Sequence, residues 1–258
     1  MIQFSGGRTS AFMLHQILDA NGPLPERAIV SFQNTGREFN ETLDFVQECG
    51  ERWNVRIVWL EYRPDAPRFE VVSHNSAARH GEPFEALIRK RKSLPNRVAR
   101  FCTAELKVHC ATRYALSLGW ERWTSCKGIR ADERHRISAV PPKERWTPWH
   151  PLADAGASKR DVTAFWKRQP FDLRLANIKG KTPHGNCDGC FLKSEANRAA
   201  LARDFPERFA WWVRMEETAG STFRPAEPYA ALGDFVDRQG AMFDETGEWC
   251  QADDGECA

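Results

Sequence analysis

The sequence predicts an α/β protein. Its main body is a doubly wound, mostly parallel sheet over residues 1–180, and a smaller cysteine-bearing helical region follows over residues 181–258. Three observations predict this. The apolar run Met1-Ile2-Gln3-Phe4 passes through a glycine-rich turn into the helical pattern Ala11–Leu18. Strand and helix patterns then alternate as βαβαβ to residue 60, the mark of a parallel sheet with helices on both faces. A Cys-x-x-Cys pair, Cys187 and Cys190, lies in the last third, where that alternation has stopped.

The elements follow in order. Arg27–Phe32 reads as the second strand, with Gln33-Asn34-Thr35-Gly36 as the turn leaving it. Glu41–Trp53 places Leu43, Phe45, Val46 and Cys49 at helical spacing, and Val55–Leu60 is the third strand. From Arg63 to Arg100 the pattern weakens. Val108–Leu118 reads as a helix, Arg122–Ile129 as a strand, and the Pro/Trp-rich stretch Pro141–Pro151 as a surface loop. Ser158 caps a short helix over Asp161–Lys167. A helical run near Ala196–Asp204 and an acidic tail complete the chain. Ligands of such sheets sit at the carboxyl ends of the strands, where both the 5–10 and 33–38 turns fall.

Composition sets the class. A chain of 258 residues with 41% hydrophobic and 28% charged residues has the balance of a soluble globular protein. No apolar run approaches the roughly 18 residues that span a bilayer, and the first strand begins at residue 2, so the expected compartment is the cytoplasm. Eight cysteines in such a chain read as metal or redox chemistry before disulfides.

Ser5-Gly6-Gly7-Arg8-Thr9-Ser10 is the first motif. Two glycines between a strand and a helix start let backbone N–H groups converge on phosphate oxygens, and the hydroxyls of Ser5, Thr9 and Ser10 add donors. An ordinary βα turn is the alternative. The chain has neither G-x-x-x-x-G-K-[ST] nor G-x-G-x-x-G after a strand, which excludes a Walker A loop and a dinucleotide fingerprint. Cys187-Asp188-Gly189-Cys190 is the second motif. Such a knuckle presents two thiolates to one metal or cluster, and Cys102 is the candidate third ligand. His109, Cys110 and Cys126 are candidates for a fourth. A thiol–disulfide pair, or a buried Cys102 without chemistry, are the alternatives. Soft thiolates select zinc or iron–sulfur. Cys49 belongs to a helix's apolar face, and Cys250 and Cys257 to the polar tail.

Five segments together resemble the PAPS reductase family of the PP-loop superfamily. Ser5–Ser10 resembles its PP-loop, and Asn34-Thr35-Gly36 through Glu41-Thr42 its "DTG…ET" segment. Arg100-Phe101-Cys102-Thr103 with Leu106-Lys107-Val108 resembles "R-x-C-T…LKV". Gly128-Ile129-Arg130-Ala131-Asp132-Glu133 with Arg136 resembles "G-x-R-x-D-E…R". Gly185–Phe191 resembles the late Cys-x-x-Cys of cluster-bearing members. The chain looks most like the branch found in bacterial and phage genomes and is distantly similar to DndC-type phosphorothioation proteins. Thr9 and Asn34 stand where members often carry Asp, Phe101 where cluster-bearing reductases have a second Cys, and Glu256-Cys257-Ala258 stops short of E-C-G-[LI]-H.

The resemblance implies a Rossmann-like fold and an enzyme of sulfur metabolism, an oxidoreductase or an ATP-dependent sulfurtransferase. ATP, or PAPS or APS, would bind Ser5, Gly6, Gly7, Arg8, Thr9, Ser10, Asn34, Thr35, Gly36, Gly128, Arg130 and Arg136, with Mg²⁺ as an accompanying ion. Cys102, Cys187 and Cys190 would hold a [4Fe–4S] cluster, with zinc as the alternative. Arg130 would act on the anionic group, Cys257 would be the nucleophile of a reduction, and a thiol reductant would restore it. For Arg130 and Arg136 the alternative is an ion pair with Asp132 or Glu133. Arg89 to Arg113 carries eight Lys or Arg against one Glu. The run Arg89-Lys90-Arg91-Lys92 therefore raises a second reading, a nucleic-acid-binding relative that keeps the fold without the chemistry. A solvated helix face explains that run equally. A zinc-stabilised non-catalytic protein is the third reading.

Overall fold

A computed structural model describes residues 1–139, 141 and 143–239. Six strands form one sheet in the order β4-β3-β2-β1-β5-β6. They are β1 (Ile2–Gln3), β2 (Val30–Asn34), β3 (Ile57–Tyr62), β4 (Phe69–Val72), β5 (Trp123–Cys126) and β6 (Trp146–Trp149). All neighbours run parallel except β3 and β4. The strand order reverses between β1 and β5, where Ile2 faces Cys126. In open α/β sheets that reversal opens a crevice at the strand ends.

Helices α1 (Arg8–Asn21), α2 (Asn40–Arg52), α3 (Glu82–Arg91) and α4 (Cys110–Ser117) accompany the first five strands. A π-helix, Thr103–His109, runs directly into α4. After β6 come α5 (Pro151–Asp154) and α6 (Lys159–Trp166), and Ser158 caps α6 through a reciprocal box with Asp161. The later region contains α7 (Glu195–Asp204), α8 (Pro206–Ala219) and α9 (Tyr229–Gln239).

Two elements depart from the sequence expectation. Trp146–Trp149, expected in a surface loop, is edge strand β6, with Trp123 opposite Trp146 and Cys126 opposite Trp149. Pro148 is tolerated because an edge strand bonds on one side only. The stretch from Arg63 to Arg100, expected to be irregular, contains β4 and α3. β4 is a half-exposed antiparallel edge strand and so lacks a continuous apolar run.

Among the described residues two large apolar cores dominate, beside two smaller clusters. The first joins β1, β2 and β3 to α1, α2 and α6 through Phe4, Phe12, Phe45, Val46 and Trp166. The second surrounds the knuckle and contains Phe191, Trp211, Trp212, Phe223 and Tyr229. Phe39, Tyr62, Phe84 and Leu87 also belong to the second core. The helical region is thus welded to the sheet body through α3 and the turn before α2. Among the described residues no helix is long and apolar enough to cross a membrane.

Candidate functional site

The loop after β1 has the geometry of an anion cradle. Gly6 has φ +80°, and a Cβ there would stand 2.7 Å from Thr42 Cγ2, so the turn requires glycine. Gly7 is the extended N-cap of α1. The Ser5 amide and hydroxyl both donate to Ser10 Oγ, at 3.1 and 2.9 Å, and Ser10 Oγ donates to the Gly7 carbonyl at 3.0 Å. These bonds close the loop around the helix N-terminus, where the backbone dipole favours an anion. Gly128 approaches from β5, and a Cβ there would be 3.2 Å from Ser10 Cα.

A cleft of about 910 Å³, open mouth included, begins at this loop. It runs between the sheet and the π-helix with α4. Gln3, Ser5 and Ser10 line one end, Trp123 and Trp146 another, and Lys107 and Arg136 supply positive charge. Strand β2 contributes Gln33, and the cleft extends from there towards β5 and β6 rather than towards β3.

Three predicted loop residues have engaged side chains. Arg8 is 9% exposed and turns its guanidinium away from the cradle, to Asp172 at 2.7 Å, Thr182 at 2.9 Å and two carbonyls. Thr9 accepts a hydrogen bond from Arg130 Nη1 at 3.0 Å. Arg130 also pairs with Asp132 at 3.0 Å and Glu133 at 3.2 Å, and Glu133 receives Arg136 at 2.6 Å. The ion-pair alternative for these arginines is thus present, as a buried network behind the loop. Arg136 still lines the cleft. Asn34 is fully buried and spans Glu61, Ala78 and the Gly36 amide, which fixes the turn after β2.

That turn carries the knuckle. Thr35 Oγ1 lies 3.3 Å from Cys187 Sγ, and the Asp188 amide donates to the Arg37 carbonyl at 2.9 Å. Asp188, inside the Cys-x-x-Cys, has no exposed surface. Its carboxylate receives Arg37 and Arg208 at 2.6 Å each, Trp212 Nε1 at 2.8 Å and the Gly189 amide at 2.7 Å. Burial draws the Arg37 pKa down, and Asp188 opposes that shift. A Cβ on Gly189 would lie 2.3 Å from Trp212 Nε1, so only glycine fits at that position. Sequence reading missed this anchor; an aspartate between two cysteines gives no local sign of three distant partners.

Cys102, Cys187 and Cys190 line one pocket of about 370 Å³ with Thr35, Phe84, Leu106 and Trp212. Thr103 and Lys107 line this pocket and the larger cleft alike, so the π-helix is their common wall. Such single-turn departures from α geometry occur often at functional sites. Glu38 stands close by, fully buried. Burial raises its carboxyl above the usual range, while Lys107 and Thr35 pull it down. Cys110 and Cys126 do not line the pocket. Cys110 packs with Val58 and Leu60, and burial pushes its thiol up to about 12. His109 lies beside Glu105 at 3.5 Å. Cys49 is core, as expected. Cys250 and Cys257 lie outside the described residues.

The basic run is largely paired. Arg89 bonds Glu85 at 2.6 Å, Lys90 the Pro64 carbonyl at 2.6 Å, and Arg91 Glu105 at 2.9 Å. Arg91 also stacks over Phe101. These contacts match the solvated-helix explanation of the run.

His184, three residues before Cys187, sits between Phe39 and Phe205, with its Nδ1 unpartnered among the described residues. Burial pushes its pKa down to about 4. Between pH 4 and 6.5 the unfolded chain therefore binds more protons at this site than the folded one, and stability falls on acidification. Urea unfolding should show His184→Phe protected against about 2–3 kcal/mol of the stability the wild type loses between pH 7 and 4.5. Identical pH slopes for the two proteins would contradict this.

The sheet order and the glycine-rich loop at the strand ends define a Rossmann-like α/β protein. The profile of the phosphoadenosine phosphosulfate reductase domain matches residues 1–170, and the chain belongs to that family. The uncharacterized nin region protein ORF290 of Escherichia phage lambda is 29% identical over 213 residues, covering 79% of this chain and 69% of that protein. A crystal structure of phosphoadenylyl-sulfate reductase from Candida auris, a phosphate complex, superposes with TM-score 0.41 at 17% identity, over 65% of this chain and 72% of that one.

Proposed function

We propose that the chain is a sulfur-metabolism enzyme that binds an adenine nucleotide, ATP or PAPS/APS, on Ser5–Ser10 and in the adjoining cleft. It acts there in sulfonucleotide reduction or ATP-dependent sulfur transfer. One observation carries the reading: the cleft beginning at the glycine-rich loop and the three-cysteine pocket share Thr103 and Lys107 as a wall. A nucleotide's anionic end and the thiols would then meet across one lysine.

The donor set of the pocket suits an iron–sulfur cluster. Three thiols border an otherwise mostly apolar space. Soft thiolates select iron–sulfur or zinc, and Cys102, Cys187 and Cys190 would hold the group. Such a cluster, when bound, would supply iron as a site for sulfur chemistry. Arg136 would bind a phosphate or sulfate oxygen, as a planar guanidinium does well, while Arg130 holds Thr9 and Glu133 in place behind it.

Calorimetry on anaerobically purified protein tests the nucleotide. ATP or PAPS should bind, and Arg136→Gln should weaken that binding about tenfold, the loss of one charge-assisted hydrogen bond. No binding of ATP, PAPS or AMP at millimolar concentration would remove the reading.

A further inference from the structure

The residues of the π-helix Thr103–His109 do not themselves favour that geometry. Ala104, Glu105, Leu106 and Lys107 are all strong α-formers, yet the stretch closes its hydrogen bonds from i to i+5. Tertiary anchors therefore set the register. Leu106 is the inward anchor, 1% exposed in the second core. Glu105 is the other. It is 9% exposed and lines neither the cleft nor the three-cysteine pocket.

Among the described residues three cationic or ionisable side chains converge on that carboxylate. Arg91 of α3 donates to its Oε1 at 2.9 Å, and Arg113 of α4 donates to its Oε2 at 2.9 Å. His109, the last residue of the π-helix, places Nδ1 3.5 Å from Oε2. Arg91 also lies over the ring of Phe101, beside Cys102. The clamp thus ties the π-helix to α3 on one side and to α4 on the other.

Register decides which side chains the π-helix turns inward. Thr103 and Lys107 border both cavities, Leu106 borders the pocket, and Val108 borders the cleft. Tightening to α geometry against α4 would swing these side chains about the axis by up to one residue's rotation, about 100°. Thr103 and Lys107 would then leave the shared wall.

We propose that Glu105 is a positioning residue, whose clamp holds the π register that keeps Thr103 and Lys107 between the two cavities. The proposal rests on the reading above that an anionic nucleotide enters the cleft. Glu105 borders neither cavity, so its influence on the nucleotide passes through Lys107.

The test is a double-mutant cycle, read by calorimetry with ATP and PAPS on anaerobically purified full-length protein. Glu105→Gln should weaken nucleotide binding about tenfold, and the same change in a Lys107→Gln background should cost less than about twofold. A merely structural role would weaken binding alike in both backgrounds. Hydrogen exchange of the amides of 103–109 follows the π-helix itself. Glu105→Gln should speed that exchange about tenfold or more, while the amides of α1 keep the wild-type rate. Should Glu105→Gln fail to fold, Arg91→Gln, which removes one half-exposed arm of the clamp, should show the same two effects at smaller size. Equal losses in the two backgrounds, or unchanged affinity in Glu105→Gln, would overturn the proposal while leaving nucleotide binding in place. Unchanged exchange over 103–109 would overturn it as well. Failure of wild type to bind either nucleotide would overturn both the proposal and the reading it rests on.

Discussion

Replacing Asp188 by Ala is expected to destabilise the protein by about 3–5 kcal/mol, the cost of leaving a buried charge without its partner. Among the described residues Arg37, 3% exposed, would keep the Arg208 carbonyl and the ring of Trp211 as partners for its guanidinium, neither of them a counter-charge. Trp212 Nε1 and the Gly189 amide would also lose their acceptor. Urea unfolding at pH 7 measures the loss. Asp188→Asn, which keeps an oxygen for Trp212 but no charge for Arg37, should fall between wild type and Ala. A loss under about 1 kcal/mol for Asp188→Ala would show that the ion pair is not what holds the knuckle to the turn after β2.

The second large effect concerns the thiols. Single Ala substitutions at Cys102, Cys187 and Cys190 should each abolish bound iron and acid-labile sulfide, together with the broad absorption near roughly 400 nm of thiolate-ligated clusters. Cys110→Ala and Cys126→Ala should retain both. Their thiols are raised by burial and lie away from the pocket, so neither is a ready thiolate ligand. Iron content and visible spectra of anaerobically purified variants decide the matter. Full iron and colour in Cys187→Ala would sink the cluster assignment, and stoichiometric zinc in colourless wild type would replace it with the zinc reading.

How much of this was legible depends on where the constraint lies. The β1–loop–α1 unit is local: an apolar run, two glycines and a helical pattern suffice, and the structure follows them closely. Both edge strands escaped notice because an edge needs neither continuous apolarity nor every N–H, which is how Pro148 fits β6 and Glu70 fits β4. The helix after Cys102 starts earlier than periodicity suggested, because a π-helix turns more slowly than the 3.6-residue pattern sought. Cys102 lines one pocket with Cys187 and Cys190 through tertiary packing, which the lack of a second knuckle and the family resemblance both foreshadowed. The polar face of the cleft did leave a trace. Gln3, Ser31 and Gln33 alternate with Ile2, Phe4, Val30 and Phe32, an unusual pattern for strands at the centre of a sheet, which normally read as unbroken apolar runs.

The reversal of strand order between β1 and β5 also governs the timing of assembly. β1 leaves the ribosome long before β5, since its partner Cys126 is separated from Ile2 by 124 positions. At roughly 5–20 residues per second, about ten seconds of synthesis pass before β5 exists. During that interval β1, β2 and β3 can pair, but the crevice has only one bank. Loop closure over so long a separation is slow, so the cleft is among the last features to form. A nascent chain stopped short of β5 would carry the glycine loop without the wall that Ser125, Lys127 and Gly128 give it.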